Sequence, residues 1–135
     1  MDLDRFVAAQ AHHYDDALRE LTQGRKQSHW MWFVFPQIAG LGQSATARHY
    51  AIRDLAEAQA YLAHPLLGPR YLACVAALAA HRSQTPEAIM GGIDAIKLRS
   101  SLTLFDRAGA PAEVRDTLMA FFDGPDDATL RLLGA

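Results

Sequence analysis

Between Gly24 and Gln37 the chain concentrates both of its tryptophans and two of its six phenylalanines directly behind a basic pair. The run is Gly24-Arg25-Lys26-Gln27-Ser28-His29-Trp30-Met31-Trp32-Phe33-Val34-Phe35-Pro36-Gln37. Trp30 to Phe35 is apolar on every side, so a helix here must be surrounded by protein. Truncating a core Trp or Phe costs about 3–5 kcal/mol, so these rings account for a large share of any domain built on them. The segment's length leaves helix and strand nearly balanced. Helix is favoured because no partner strand is visible, and Pro36 ends it by disfavouring the helical region for the residue before it.

Everything else must enclose that segment. The 135 residues suit one domain, 1–135, long enough to bury roughly two-thirds of its unfolded surface. A chain 50% hydrophobic and 21% charged is globular in balance. Its net charge of -2 gives no reason to expect nucleic acid or an anionic membrane as partner. No apolar run approaches the roughly 20 residues of a membrane span. Met1-Asp2-Leu3-Asp4-Arg5 is acidic where a signal peptide is basic and then apolar. Cys74 is the only cysteine, which excludes an internal disulfide and a thiolate-rich zinc site. A cytoplasmic bacterial protein without cofactor or metal is the expectation.

Turn signals recur at helical intervals. A first helix is predicted from about Asp4 to Gln23, with Asp2 or Asp4 as N-cap and Gly24 as stop. Val7, Ala11, Tyr14, Leu18 and Leu21 mark its expected buried stripe. Ser44 caps a short helix through Tyr50, and Asp54 caps Leu55 to His64. Pro65 or Pro69 starts an Ala-rich helix reaching His81. Thr85-Pro86-Glu87 opens another, and Gly91-Gly92 separates it from a helix over Ile93 to Phe105. Ala112 to Phe122 follows, and Asp126 or Asp127 caps a last helix ending near Leu133. The fold expected is all-α, a single compact domain of about seven to nine helices, several of them short.

Several groups of residues are candidates for chemistry. Trp30, Trp32 and His29 serve either as core or as a wall against which a planar ligand stacks, since a buried indole N–H needs a partner. Arg25 and Lys26 complement a helix carboxyl end or clamp a phosphate or carboxylate. Gly40-Leu41-Gly42-Gln43-Ser44-Ala45 has the glycine spacing of a dinucleotide fingerprint, but Pro36-Gln37 stands where the required strand would finish. An ordinary turn, or a phosphate-binding helix start, remains. Asp94, Lys97 and Ser101 share a helix face, with Ser100 beside them. Facing solvent they form a weak ion pair; facing inward they bind a polar ligand, or Lys97 serves either serine as a base. His12 and Asp16 are one turn apart, yet with Asp15 and Glu20 they read as a wet helix face. His49 and Tyr50, and His64 before Pro65, are pocket residues or helix-end hydrogen bonders. Cys74 reads as a buried small hydrophobe.

These motifs together resemble the signature of a bacterial and fungal domain-of-unknown-function family. The residues that carry the resemblance are Gly24-Arg25-Lys26, Ser28 to Phe33, Phe35-Pro36-Gln37 and Gly40-Leu41-Gly42. It continues through Ala47-Arg48, Tyr50-Ala51-Ile52, His64-Pro65, Leu67-Gly68, Asp94, Lys97, Ser100-Ser101 and Thr103-Leu104-Phe105. The resemblance spans nearly the whole chain and implies one compact all-helical domain with no established reaction. Some members carry the label calpastatin, but inhibitory segments of that kind resemble disordered polar chains, unlike this one.

The functional expectation is convergence. Arg25, Lys26, Ser28, His29, Trp30, Trp32 and Gln37 from one segment meet Tyr50, His64, Asp94, Lys97, Ser100 and Ser101 from others. Their cleft takes a small anionic ligand, phosphorylated or nucleotide-like. The rival expectation is a non-catalytic module whose exposed rings dock a protein partner, which requires a flat apolar patch.

Overall fold

The computed structural model describes residues 2–134, and among them the chain forms nine helices and no strand. Helix α1 (Asp4–Gln23) ends on Gly24 at φ 73°, whose N–H donates to the Glu20 and Leu21 carbonyls. Only glycine reaches that left-handed conformation without strain. A Cβ on Gly24 would also stand 2.8 Å from the His81 ring, so the chain turns tightly here into the aromatic segment.

The N-terminal end of α1 departs from the sequence reading. Leu3 is the N-cap, and Asp2 instead accepts the Asp4 N–H at 2.9 Å. The buried face is also rotated. Phe6, Gln10, Ala17, Glu20 and Leu21 are buried; of the expected stripe only Leu21 is fully buried, and Ala11 is exposed. The cause is that two core positions are polar, which a hydrophobic pattern cannot detect. Gln10 donates to the Phe33 carbonyl at 2.7 Å and to the Tyr61 hydroxyl at 3.0 Å.

The remaining elements are α2 (Met31–Val34), α3 (Ala45–His49), α4 (Leu55–Ala63), α5 (Leu67–Ala79), α6 (Pro86–Met90), α7 (Gly92–Arg107), α8 (Ala112–Phe122) and α9 (Asp127–Leu132). Four begin on the side-chain caps the sequence announces. Ser44, Asp54, Thr85 and Asp126 accept the N–H groups of Ala47, Glu57, Ala88 and Thr129. Helix α2 is a single turn, because Pro36 follows so soon after its start.

Helix α7 packs on α4, α6, α8 and α9, while α5 packs on α1, α4 and α8. A chain of rings joins them. Phe6 of α1 meets Tyr61 of α4 at 5.2 Å, Tyr61 meets Phe105 of α7 at 5.2 Å, and Phe105 meets Tyr71 of α5 at 4.4 Å. From Tyr71 the chain continues to Phe35 at 5.5 Å and to Trp30 at 6.3 Å. Such pairs add about 0.5–1.5 kcal/mol each beyond area burial, so the aromatic segment is rooted in the core at Trp30 and Phe35. Between α2 and α4 an isolated parallel bridge pairs Ile38 with Ile52. Among the described residues no single helix is long and apolar enough to cross a membrane; α4 and α5 pass that test only as a pair bent by 89°.

Candidate functional site

The loop between α1 and α2 is organised by Glu20, only 2% exposed. Its Oε1 accepts the Gln27 N–H at 2.7 Å, the Ser28 N–H at 2.9 Å and the Trp30 indole N–H at 3.0 Å. Its Oε2 accepts the Ser28 hydroxyl at 2.6 Å. Burial pushes the carboxyl pKa up, but the Ser28 hydroxyl, the two backbone N–H groups and the indole outweigh it and lower the value to about 2. Glu20 is therefore a buried anion, contrary to the wet-face reading of Asp15, Asp16 and Glu20.

Onto this frame the loop hangs Lys26. Its ammonium donates to the Ser28 carbonyl at 2.6 Å and pairs with Asp94 Oδ2 at 2.8 Å. It also lies 5.0 Å from the Trp30 ring centroid. With its side chain only 7% exposed, Lys26 is a structural cation tying the loop to the start of α7. The other Asp94 oxygen stands 3.7 Å from the Lys97 ammonium, too far for a hydrogen bond. Lys97 lies instead over the Trp32 ring at 4.7 Å. Asp94 thus pairs closely with Lys26 and only at longer range with Lys97, whose side chain is 22% exposed.

Lys97 opens on a narrow cleft. Trp32, Phe35, Gln37 and Lys97 form one side, and Gly42, Ala47, Tyr50 and Ala51 close the other. The free space between them is about 10 Å³, room for about one water. The Tyr50 ring faces Phe6 at 6.0 Å and Phe33 at 5.3 Å.

The expected site is therefore divided. Lys26, Asp94, Lys97, Trp32, Gln37 and Tyr50 form one continuous group leading into the cleft. Trp30 and Ser28 support that group from beneath through Glu20. Arg25 and His29 are exposed and line no part of the cleft. His64 is a helix-start residue: its Nδ1 accepts the N–H groups of Leu66 at 3.1 Å and Leu67 at 3.2 Å. Ser101 is wholly buried and hydrogen-bonds the Tyr71 hydroxyl at 3.0 Å. Ser100 donates to the Ile96 carbonyl at 3.2 Å. Among the described residues no hydrogen bond joins Lys97 to either serine, so the lysine-base arrangement is not formed. Burial raises the Cys74 thiol to about 12, partly opposed by Arg70, which makes it an inert packing group. A Cβ on Gly42 would run into the Ala47 side chain, so the glycine lets this turn close tightly onto α3.

Glu20 is the residue that sequence reasoning missed. A glutamate four residues before a helix-stopping glycine, followed by serine and tryptophan, is a signal only once the return of the chain is known. The rival docking reading calls for exposed rings. Among the described residues the exposed large hydrophobic side chains are Ile93, Ile96, Met119 and Leu132, none of them a ring.

Residues 1–133 match the family described as "Protein of unknown function (DUF1810)". The chain belongs to this family. A crystal structure at 1.38 Å of the conserved hypothetical protein Rv1873 from Mycobacterium tuberculosis is similar with a TM-score of 0.96 and 47% identity, covering 99% of this chain and 97% of that one. No curated protein matches the chain. The DUF1810 relationship extends over the loop, α2 and α7 alike, so the divided arrangement lies within the family domain.

Proposed function

We propose that this DUF1810 domain binds the oxyanion group of a small phosphorylated or carboxylated ligand at Lys97, in the cleft beside Trp32, Gln37 and Tyr50. The observation that carries this reading is the unequal treatment of two lysines by one carboxylate. Asp94 pairs with Lys26 at 2.8 Å and stands 3.7 Å from Lys97. A cation held over an aromatic face is attracted to it, but its N–H donors gain no acceptor there. An incoming oxyanion supplies that acceptor and forms a charge-assisted bond, about twice as strong as a neutral one. Gln37 and Tyr50 offer further polar contacts on the same cleft. The half-buried Trp32 ring provides a flat wall for a base or other planar body attached to the anion.

Thermal-shift measurement on the wild type and Lys97→Gln tests the reading, with inorganic phosphate, pyrophosphate, adenosine monophosphate and acetate as probes at fixed ionic strength. A ligand present at 100 times its dissociation constant stabilises by about 2.7 kcal/mol, several degrees for a domain of this size. At least one phosphate probe is expected to shift the wild type and leave Lys97→Gln unmoved. Equal shifts in both proteins, or none in either, contradict it.

A further inference from the structure

We propose that residues 39–51 form a strap that lifts from the α2–α7 floor to admit the ligand, an inference that takes its ligand from the anion reading above. The closed cleft has about 10 Å³ of free space, which no phosphate or carboxylate can enter unless a wall moves. One wall is rooted in the core. Met31 and Phe35 are 1% and 0% exposed, and Lys97 stands on the sixteen-residue α7. The opposite wall is built differently.

None of residues 39–51 is fully buried, although Ile38 and Ile52 at its two ends are 4% and 0% exposed. Helix α3 within it buries no side chain. The ends are tied together where Ala39 N–H donates to the Ile52 carbonyl and Ile52 N–H to the Gln37 carbonyl, each at 2.8 Å. Arg5 adds a bond to the Ala51 carbonyl at 2.9 Å. Between those ties, hydrogen bonds among the described residues stay inside the strap: Ser44 caps Ala47, and Arg48 reaches Gln43. Its contacts with the rest come from Leu41, from Ala47, from Tyr50 against the Phe6 and Phe33 rings, and from Gly40 beside Leu132 of α9. Gly40, at φ 106° beside the first tie, supplies a backbone joint that other residues rarely adopt. Lifting the strap therefore breaks few contacts and no hydrogen bond to the floor. Local openings of this kind lie at the low end of a protein's stability range.

Leu41 gives a handle on the closed state. Its half-buried side chain packs on the core and does not line the cleft. Leu41→Ala therefore weakens closure without touching the proposed anion site, and Leu41→Met restores most of the apolar contact. The test is hydrogen exchange by mass spectrometry, together with acrylamide quenching of Trp32, on ligand-free wild type and both variants; Trp30 is fully buried and contributes little quenching. In the wild type the strap amides are expected to exchange at least about tenfold faster than those of α7. Leu41→Ala raises both strap exchange and quenching, and Leu41→Met stays near wild type. Strap amides as protected as α7, or quenching unchanged by Leu41→Ala, overturn the proposal. If Leu41→Ala loses the fold, the wild-type exchange pattern decides. A phosphate titration of the same proteins separates the two readings: a strap that opens without any phosphate response upholds the strap and contradicts anion binding.

Discussion

A carboxylate removed from water destabilises a fold unless its oxygens are filled, and Glu20 fills them with four donors from a single loop. Its folded pKa of about 2 lies below the ordinary 4.5. The stabilisation it confers is therefore complete above about pH 4.5 and is lost as the pH falls toward 2, amounting to about 3 kcal/mol over that window. Glu20→Gln replaces one acceptor oxygen with a donor that faces other donors. Urea unfolding at pH 7 is expected to show a loss of about 2–4 kcal/mol, and the acid dependence should flatten between pH 4.5 and 2. Ser101 makes a contrasting prediction. Ser101→Ala leaves the buried Tyr71 hydroxyl without its partner, costing about 1–3 kcal/mol, while the thermal shift with phosphate stays as in wild type. Loss of the phosphate shift in Ser101→Ala would place that serine back in the site.

At the level of elements, caps decide where helices begin. Asp126 accepts the Thr129 N–H at 3.0 Å and its hydroxyl at 2.6 Å, and Asp54 accepts the Glu57 N–H at 2.9 Å. Asp54→Ala and Asp126→Ala should each lower stability by about 1–2 kcal/mol, read as a lower unfolding midpoint at unchanged slope. These local signals are why α3, α4, α6 and α9 could be located from sequence to within a residue or two, while the stop at Gly24 and the break at Pro111 mark α1 and α8. Signals that depend on tertiary packing were not legible. The buried face of α1 includes Gln10 and Glu20, whose value lies in partners 23 and 10 residues distant. A histidine before a proline carries no sign of which way its ring turns, and His64, legible as a pocket residue or a helix-end hydrogen bonder, turns to the N–H groups of Leu66 and Leu67. The aromatic segment announced a core but not that Trp30 and Trp32 would part, one buried on Glu20 and one left at the cleft under Lys97.

The whole molecule is a ring-lined helical core with a lightly held strap across one side. The chain of aromatic contacts from Phe6 to Trp30 fixes α1, α4, α5 and α7 relative to one another, so Lys97 and Trp32 are presented on a rigid floor. Core packing has no need of a lysine over a half-exposed indole, and the ion-pair geometry shows Asp94 committed elsewhere. The function proposed rests on the Lys97 ammonium, 3.7 Å from Asp94 and over the Trp32 ring; the proposed lifting of residues 39–51 would admit its ligand. A crystal of the protein grown with pyrophosphate tests this most directly. The account predicts the anion within hydrogen-bond distance of Lys97 Nζ, beside the Trp32 ring, with residues 39–51 displaced from the floor. Pyrophosphate bound only at Arg25 or another surface cation, with the cleft still closed, would contradict it.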